Sequence, residues 1–108
     1  MITPDEARTF QPGRARVLSA GELGELLAAA ETWREEDSSV QGPIRLLRLG
    51  DVVLAQEHDP HGTAVVRRLD DRAAAERFLA ARLATYDRMW DGCGCRVDPH
   101  LPWPEPGG

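Results

Sequence analysis

Residues 44–69, IRLLRLGDVVLAQEHDPHGTAVVRRL, decide the fold. They contain three aliphatic segments, at residues 44–49, 52–57 and 63–69, which are separated by two short groups of turn-forming residues. The first group is Gly50-Asp51, a pair typical of tight hairpins, and the second is dense in Asp, Pro, His and Gly. Parallel strands need longer crossover connections than these. The stretch therefore predicts three strands in an antiparallel meander.

Amphipathic helices are predicted on both sides of this meander. Ser19 and Glu22 form a capping box, and apolar residues then recur at spacings of three and four as far as Trp33. This pattern predicts a helix from about residue 20 to residue 36. The same spacing of apolar residues predicts a second helix over about residues 71–90, which ends at a glycine.

The two ends of the chain carry signals that depend on proline. Thr3-Pro4-Asp5-Glu6 combines a capping threonine with proline at the first helical position, so a short helix is predicted within residues 1–13. Residues 98–108 contain four prolines, which exclude a helix and favour an extended backbone. We expect a single domain over residues 1–97 and an extended Pro-rich C-terminal tail over residues 98–108.

These elements predict an α+β fold. We expect an antiparallel meander of three to four strands, the fourth from residues 14–18, with both amphipathic helices packed on one face of the sheet. The other face would then carry four arginines and would meet solvent or another protomer. Those arginines are Arg45, Arg48, Arg67 and Arg68.

Composition limits the partners that the chain could have. Its 108 residues suit one domain, and its net charge of −5 provides no long-range attraction for a polyanion. The three strand segments contain no aromatic residue on which a nucleic-acid base could stack, so nucleic acid is not expected as a partner. No apolar run reaches the ~18 residues that span a bilayer, and the first residues do not resemble a signal peptide. We expect no membrane association and a cytoplasmic location.

The two cysteines are the most chemically specific feature. Two thiolates one residue apart can share a soft metal ion such as zinc if two further ligands complete the site. The candidate ligands are Cys93, Cys95, His58 and His61, with His100 or Asp98 as alternatives. A redox-active thiol pair is a second interpretation, although the C-terminal end of a helix disfavours a thiolate. Two packed thiols without any chemistry are the third.

Catalytic signatures are absent from the sequence. There is no phosphate-binding loop, dinucleotide fingerprint, nucleophile elbow or zinc-protease helix. His58 and Asp59 could form a general base, but their surroundings are typical of a turn and no motif supplies a nucleophile. We therefore name no catalytic residue and do not expect an enzyme.

Interaction with another protein chain is the function that the sequence favours most. Leu101 and Trp103 lie in the Pro-rich tail, where a backbone that is already extended loses little entropy on docking. Arg45 and Arg67 are the expected contacts on the sheet. The leading hypothesis is a non-enzymatic interaction or regulatory domain that we expect to be a homodimer, with another protein as the other possible partner. The alternatives are a small zinc-type metal-binding protein and a thiol redox protein.

Overall fold

The computed structural model describes residues 2–37 and 42–93, with side chains as far as Tyr86. This part of the chain forms a five-stranded antiparallel sheet and three helices, so the predicted α+β class is confirmed. The sheet order is β1-β5-β4-β3-β2. The elements, in chain order, are α1 (Pro4–Arg8), β1 (Arg16–Val17), α2 (Ala20–Ala29), β2 (Glu31–Asp37), β3 (Pro43–Leu49), β4 (Val52–His58), β5 (Ala64–Leu69) and α3 (Arg72–Cys93).

The meander forms where the sequence predicts it. Leu49 pairs with Val52 across the two-residue turn, in which Gly50 adopts a positive φ of 63°. A β-carbon at Gly50 would lie 2.9 Å from the Cβ atom of Pro4, because α1 packs closely against this turn. Glycine is therefore required here by both conformation and space.

The prediction that the first long helix extends to about residue 36 is wrong, because Glu31–Asp37 form strand β2. That helix, α2, ends at Ala29, and the backbone of Ala30 is already extended. Thr32 and Trp33 both favour strand conformations. Trp33 is the extra residue of a β-bulge between Thr32 and Arg34.

The helices pack on opposite faces of the sheet, and the prediction that both lie on one face is wrong. Leu26 of α2 belongs to a core cluster with Leu47 and Leu54, whereas Leu79 of α3 belongs to a second cluster with Leu46. Side chains alternate between the two faces along a strand, so adjacent leucines in β3 point in opposite directions. Both faces are apolar, and each is covered by helix.

The same alternation separates the four arginines of the sheet. Arg45 and Arg68 project towards the α1 and α2 side, whereas Arg48 and Arg67 project towards the α3 side. Arg68 donates to the backbone carbonyls of Arg8 and Phe10, at 2.8 and 3.1 Å, at the end of α1. The prediction that one face of the sheet carries all four arginines is therefore wrong.

Helix α3 crosses the sheet and continues to Cys93, past the glycine at which it was predicted to end. Among the described residues, no helix is long and apolar enough to cross a membrane.

Candidate functional site

A buried ionic cluster attaches α3 to the sheet near the end of β4. The Oε2 atom of Glu57 accepts hydrogen bonds from Nη1 of Arg67 and from Nη2 of Arg82, the latter at 3.0 Å. The Tyr86 hydroxyl donates to Oε1 of the same carboxylate at 3.3 Å. None of these four residues is more than 4% exposed. The cluster is therefore sealed from solvent by the described residues.

Local geometry explains why these side chains meet. Arg67 lies opposite Ala55, so Glu57 is its diagonal neighbour on the same face of the sheet. Arg82 follows Leu79 by three residues and precedes Tyr86 by four, which places it on the buried stripe of α3.

An aromatic ring completes the environment of the two guanidinium groups. The Cζ atoms of Arg67 and Arg82 lie 5.6 and 4.9 Å from the centroid of the Phe78 ring. A cation at that distance is attracted by the negative face of the ring. Phe78 thus helps to compensate for the water that both guanidinium groups lose on folding.

Burial raises the pKa of Glu57, while the charges of Arg82 and Arg67 act in the opposite direction. A general acid or base must reach a proton on its substrate, and this carboxylate contacts only interior groups of the protein. The arrangement is suited to fixing α3 in position rather than to acid–base chemistry.

The accessible candidate site is a groove between β2 and α3. It has a volume of about 400 Å³, and its lining includes both polar and aliphatic residues. Arg34 lines it from the strand, and the residues contributed by the helix are Glu76, Leu79, Ala80, Leu83 and Ala84. These helix residues recur at spacings of three and four, so they form one flank of α3 beside its buried stripe.

Polar contacts hold β2 against α3 at one end of this groove. Glu76 accepts a hydrogen bond from Nε1 of Trp33 at 3.1 Å and another from Nη1 of Arg34 at 2.9 Å. The Cζ atom of Arg72 lies 5.1 Å from the centroid of the Trp33 ring. Beyond these contacts the groove is lined mainly by aliphatic and alanine side chains of α3.

Strand β2 forms one edge of the sheet. It pairs with β3, and no strand among residues 2–37 and 42–93 pairs with its outer side. Its charge is concentrated towards Asp37, where Glu35 and Glu36 precede it. Glu35 forms an ion pair with Arg45 at 3.3 Å, and Glu36 forms one with Arg34 at 3.4 Å. Sequence patterns missed this site because they did not identify β2 as a strand.

Arg45 and Arg67, the residues of the sheet that were expected to contact a partner, lie in different environments. Arg67 has no exposed surface in the described structure, so it is not available to a partner. Arg45 is partly buried and donates from Nη1 to Oε1 of Gln56 at 2.7 Å. Leu101 and Trp103 of the tail lie outside the described residues.

The predicted metal ligands are only partly described. His58 ends β4, His61 lies in the following turn, and the backbone of Cys93 ends α3. The second cysteine, Cys95, and the alternative ligands, Asp98 and His100, lie outside the described residues. Within the part that is described, no group of three or more His, Cys, Asp and Glu residues is placed to hold a metal ion.

Comparison of the chain with protein-family models, with curated proteins and with solved structures finds no match in any of the three.

Proposed function

We propose that this chain is a non-enzymatic interaction domain that binds an extended segment of another protein along β2. The observation that supports it is the juxtaposition of a seven-residue edge strand with a groove of about 400 Å³ on its flank. An edge strand offers backbone hydrogen bonds to an added strand, and a neighbouring groove offers pockets for its side chains.

The groove favours a partner with aliphatic residues at alternate positions. Every second side chain of an added strand would point towards α3. There it would meet Leu83 and the small side chains of Ala80 and Ala84, which leave room beside the helix. Burial of such side chains would contribute roughly 25 cal/mol for each Å² of apolar surface removed from water.

Charge favours basic residues in the same partner. The strand contains four carboxylates (Glu31, Glu35, Glu36 and Asp37) and one guanidinium (Arg34), and its last three residues are all acidic. Basic side chains opposite those three residues would form favourable cross-strand pairs. A second copy of β2 fits less well, because antiparallel pairing centred on Arg34 would place Glu31 against Asp37 and Arg34 against itself.

A phage-displayed library of random peptides, selected against the immobilised full chain, tests the proposal. We expect enriched peptides to alternate aliphatic and basic residues, and to bind at least about tenfold more weakly when Ala84→Trp fills the groove. Ala81→Trp is the matched control, because Ala81 is exposed on α3 and does not line the groove. Failure to enrich any peptide, or equal binding to both variants, would rule out this site.

Metal binding is a second candidate function, supported by the direction of α3. Tyr86 contacts Glu57, and the helix then continues for seven residues, or about 10 Å, past that end of the sheet. Cys93 and the turn that contains His58 and His61 therefore lie towards the same end. Elemental analysis of protein purified without chelator tests this candidate. Stoichiometric zinc that is lost in a Cys93→Ser, Cys95→Ser variant supports it, and absence of stoichiometric metal excludes it.

A further inference from the structure

We propose that the groove between β2 and α3 is regulated by the chain's own tail, with Leu101-Pro102-Trp103-Pro104-Glu105 added to β2 until a partner displaces it. The proposal rests on the interaction function of the groove proposed above. Residues 98–108 lie outside the described part of the chain, so it is their sequence that supplies the pattern.

The prolines of the tail alternate in the way that an outermost strand requires. In an antiparallel pair, every second residue directs both its N–H and its C=O groups towards the neighbouring strand. Pro102, Pro104 and Pro106 lack an N–H group, and the residues between them retain one. If Leu101, Trp103 and Glu105 bond to β2, all three prolines face outwards, where an edge strand tolerates them.

The same register places the apolar side chains of the tail together. Residues 101, 103 and 105 share one face of an extended strand, because side chains alternate. Leu101 and Trp103 on that face match the aliphatic lining supplied by Leu79 and Leu83. The opposite face would carry only proline rings.

The direction of α3 and the length of the segment that follows it also fit attachment of the tail to β2 of the same chain. Asp37 pairs with Pro43, and Arg45 pairs with Gln56, so the C-terminal ends of β2 and β4 lie at the same end of the sheet. Helix α3 runs towards that end. A tail that turns back from there along β2 would therefore run antiparallel to β2. The eight residues from Cys93 to Leu101 can span about 26 Å. Crossing from β4 to β2 requires two strand spacings, or roughly 10 Å.

Hydrogen exchange of the full-length chain, resolved at individual amides, tests the proposal. We expect the outward-facing amides of β2 to exchange at least about tenfold faster in Trp103→Ala than in the wild type, with β4 unchanged. Proline scanning tests the register. Glu105→Pro removes an N–H group that would bond to β2, whereas Pro104→Ala removes none, so only the first should accelerate exchange.

Three outcomes would overturn the proposal. One is equal exchange of β2 in the wild type and Trp103→Ala, and another is equal sensitivity to both proline changes. The third is protection of β2 that depends on protein concentration and accompanies a dimer mass in light scattering, because the strand would then come from a second copy.

The peptide library separates the two proposals. Peptides that bind the wild type and Trp103→Ala equally well contradict docking of the tail only, whereas peptides that bind neither contradict the interaction function.

Discussion

Glu57 on β4 and Arg82 on α3 form a buried ion pair with a separation of 3.0 Å, and both side chains are almost completely inaccessible. Because Arg67 contacts the same carboxylate oxygen, one negative charge lies between two positive charges. Breaking such a group by removing one member costs more than the group contributes, because the remaining charges stay buried.

Loss of the Glu57 side chain should therefore be strongly destabilising. We expect Glu57→Ala to lower the free energy of unfolding by about 3 kcal/mol, since Arg67 and Arg82 would stay buried without the acceptor that they share. Urea denaturation followed by circular dichroism measures this loss. Arg77→Met, an exposed change on the same helix, is the control and should stay within about 0.5 kcal/mol of the wild type. Equal stability of Glu57→Ala and the control would show that the cluster does not attach α3.

The raised pKa of Glu57 predicts a pH dependence with a definite sign. In the folded protein the Glu57 carboxyl stays protonated to a higher pH than in the unfolded chain, where its pKa has the ordinary value near 4.5. The stabilising contribution of the group is therefore complete below that value and is lost as the pH rises through the folded pKa. Urea denaturation of wild type and Glu57→Ala at successive pH values should show the difference between their free energies of unfolding narrowing with rising pH. A difference that widens instead would mean that the arginines dominate and the folded pKa is lowered.

Gly50 should tolerate no side chain. We expect Gly50→Ala to lower the free energy of unfolding by about 1–3 kcal/mol, because it strains the positive φ and brings Cβ against Pro4. Gly24→Ala provides the opposite case, because a β-carbon there meets no atom within 4 Å and alanine favours the helix by roughly 0.5–1 kcal/mol. Thermal denaturation should move the two midpoints in opposite directions. A stable Gly50→Ala protein would argue against the packing of α1 on this turn.

Glu76 should contribute to the attachment of β2 mainly as an acceptor for two donors. Glu76→Ala removes the contacts with Trp33 and Arg34, and we expect it to cost about 1 kcal/mol because the site is only partly buried. Glu76→Gln keeps an acceptor for the indole and should cost less. Hydrogen exchange at β2 would show the difference, and equal exchange in the two variants would mean that the indole contact is unimportant.

The hairpin at Gly50-Asp51 could be predicted because its determinants are local: turn residues with aliphatic segments on either side. The edge strand β2 could not be predicted, because Trp33 continues the helical spacing of the apolar residues before it. Tertiary packing against α3 decides between helix and strand for these residues. The placement of both helices on one face failed for a different reason. Leu46 and Leu47 are consecutive in β3 and point to opposite faces, so both faces of the sheet require apolar cover.

The buried cluster left a weaker trace in the sequence. Arg82 occupies a core position of α3, and Glu57 follows the α3-facing residues of β4 at a spacing of two. Opposite charges at two core positions suggest a pair. Their separation of 25 residues, however, gives no local signal that they meet. Only the crossing direction of α3 brings them together.

The two margins of the sheet differ greatly in length. β1 contributes two residues at one margin, whereas β2 contributes seven at the other. A strand added to β2 would therefore have no comparable surface on the far side from which the sheet could keep growing. Copies of this chain that stacked edge to edge, with β2 of one against β1 of the next, would share only a two-residue strand, so such a repeating contact is disfavoured.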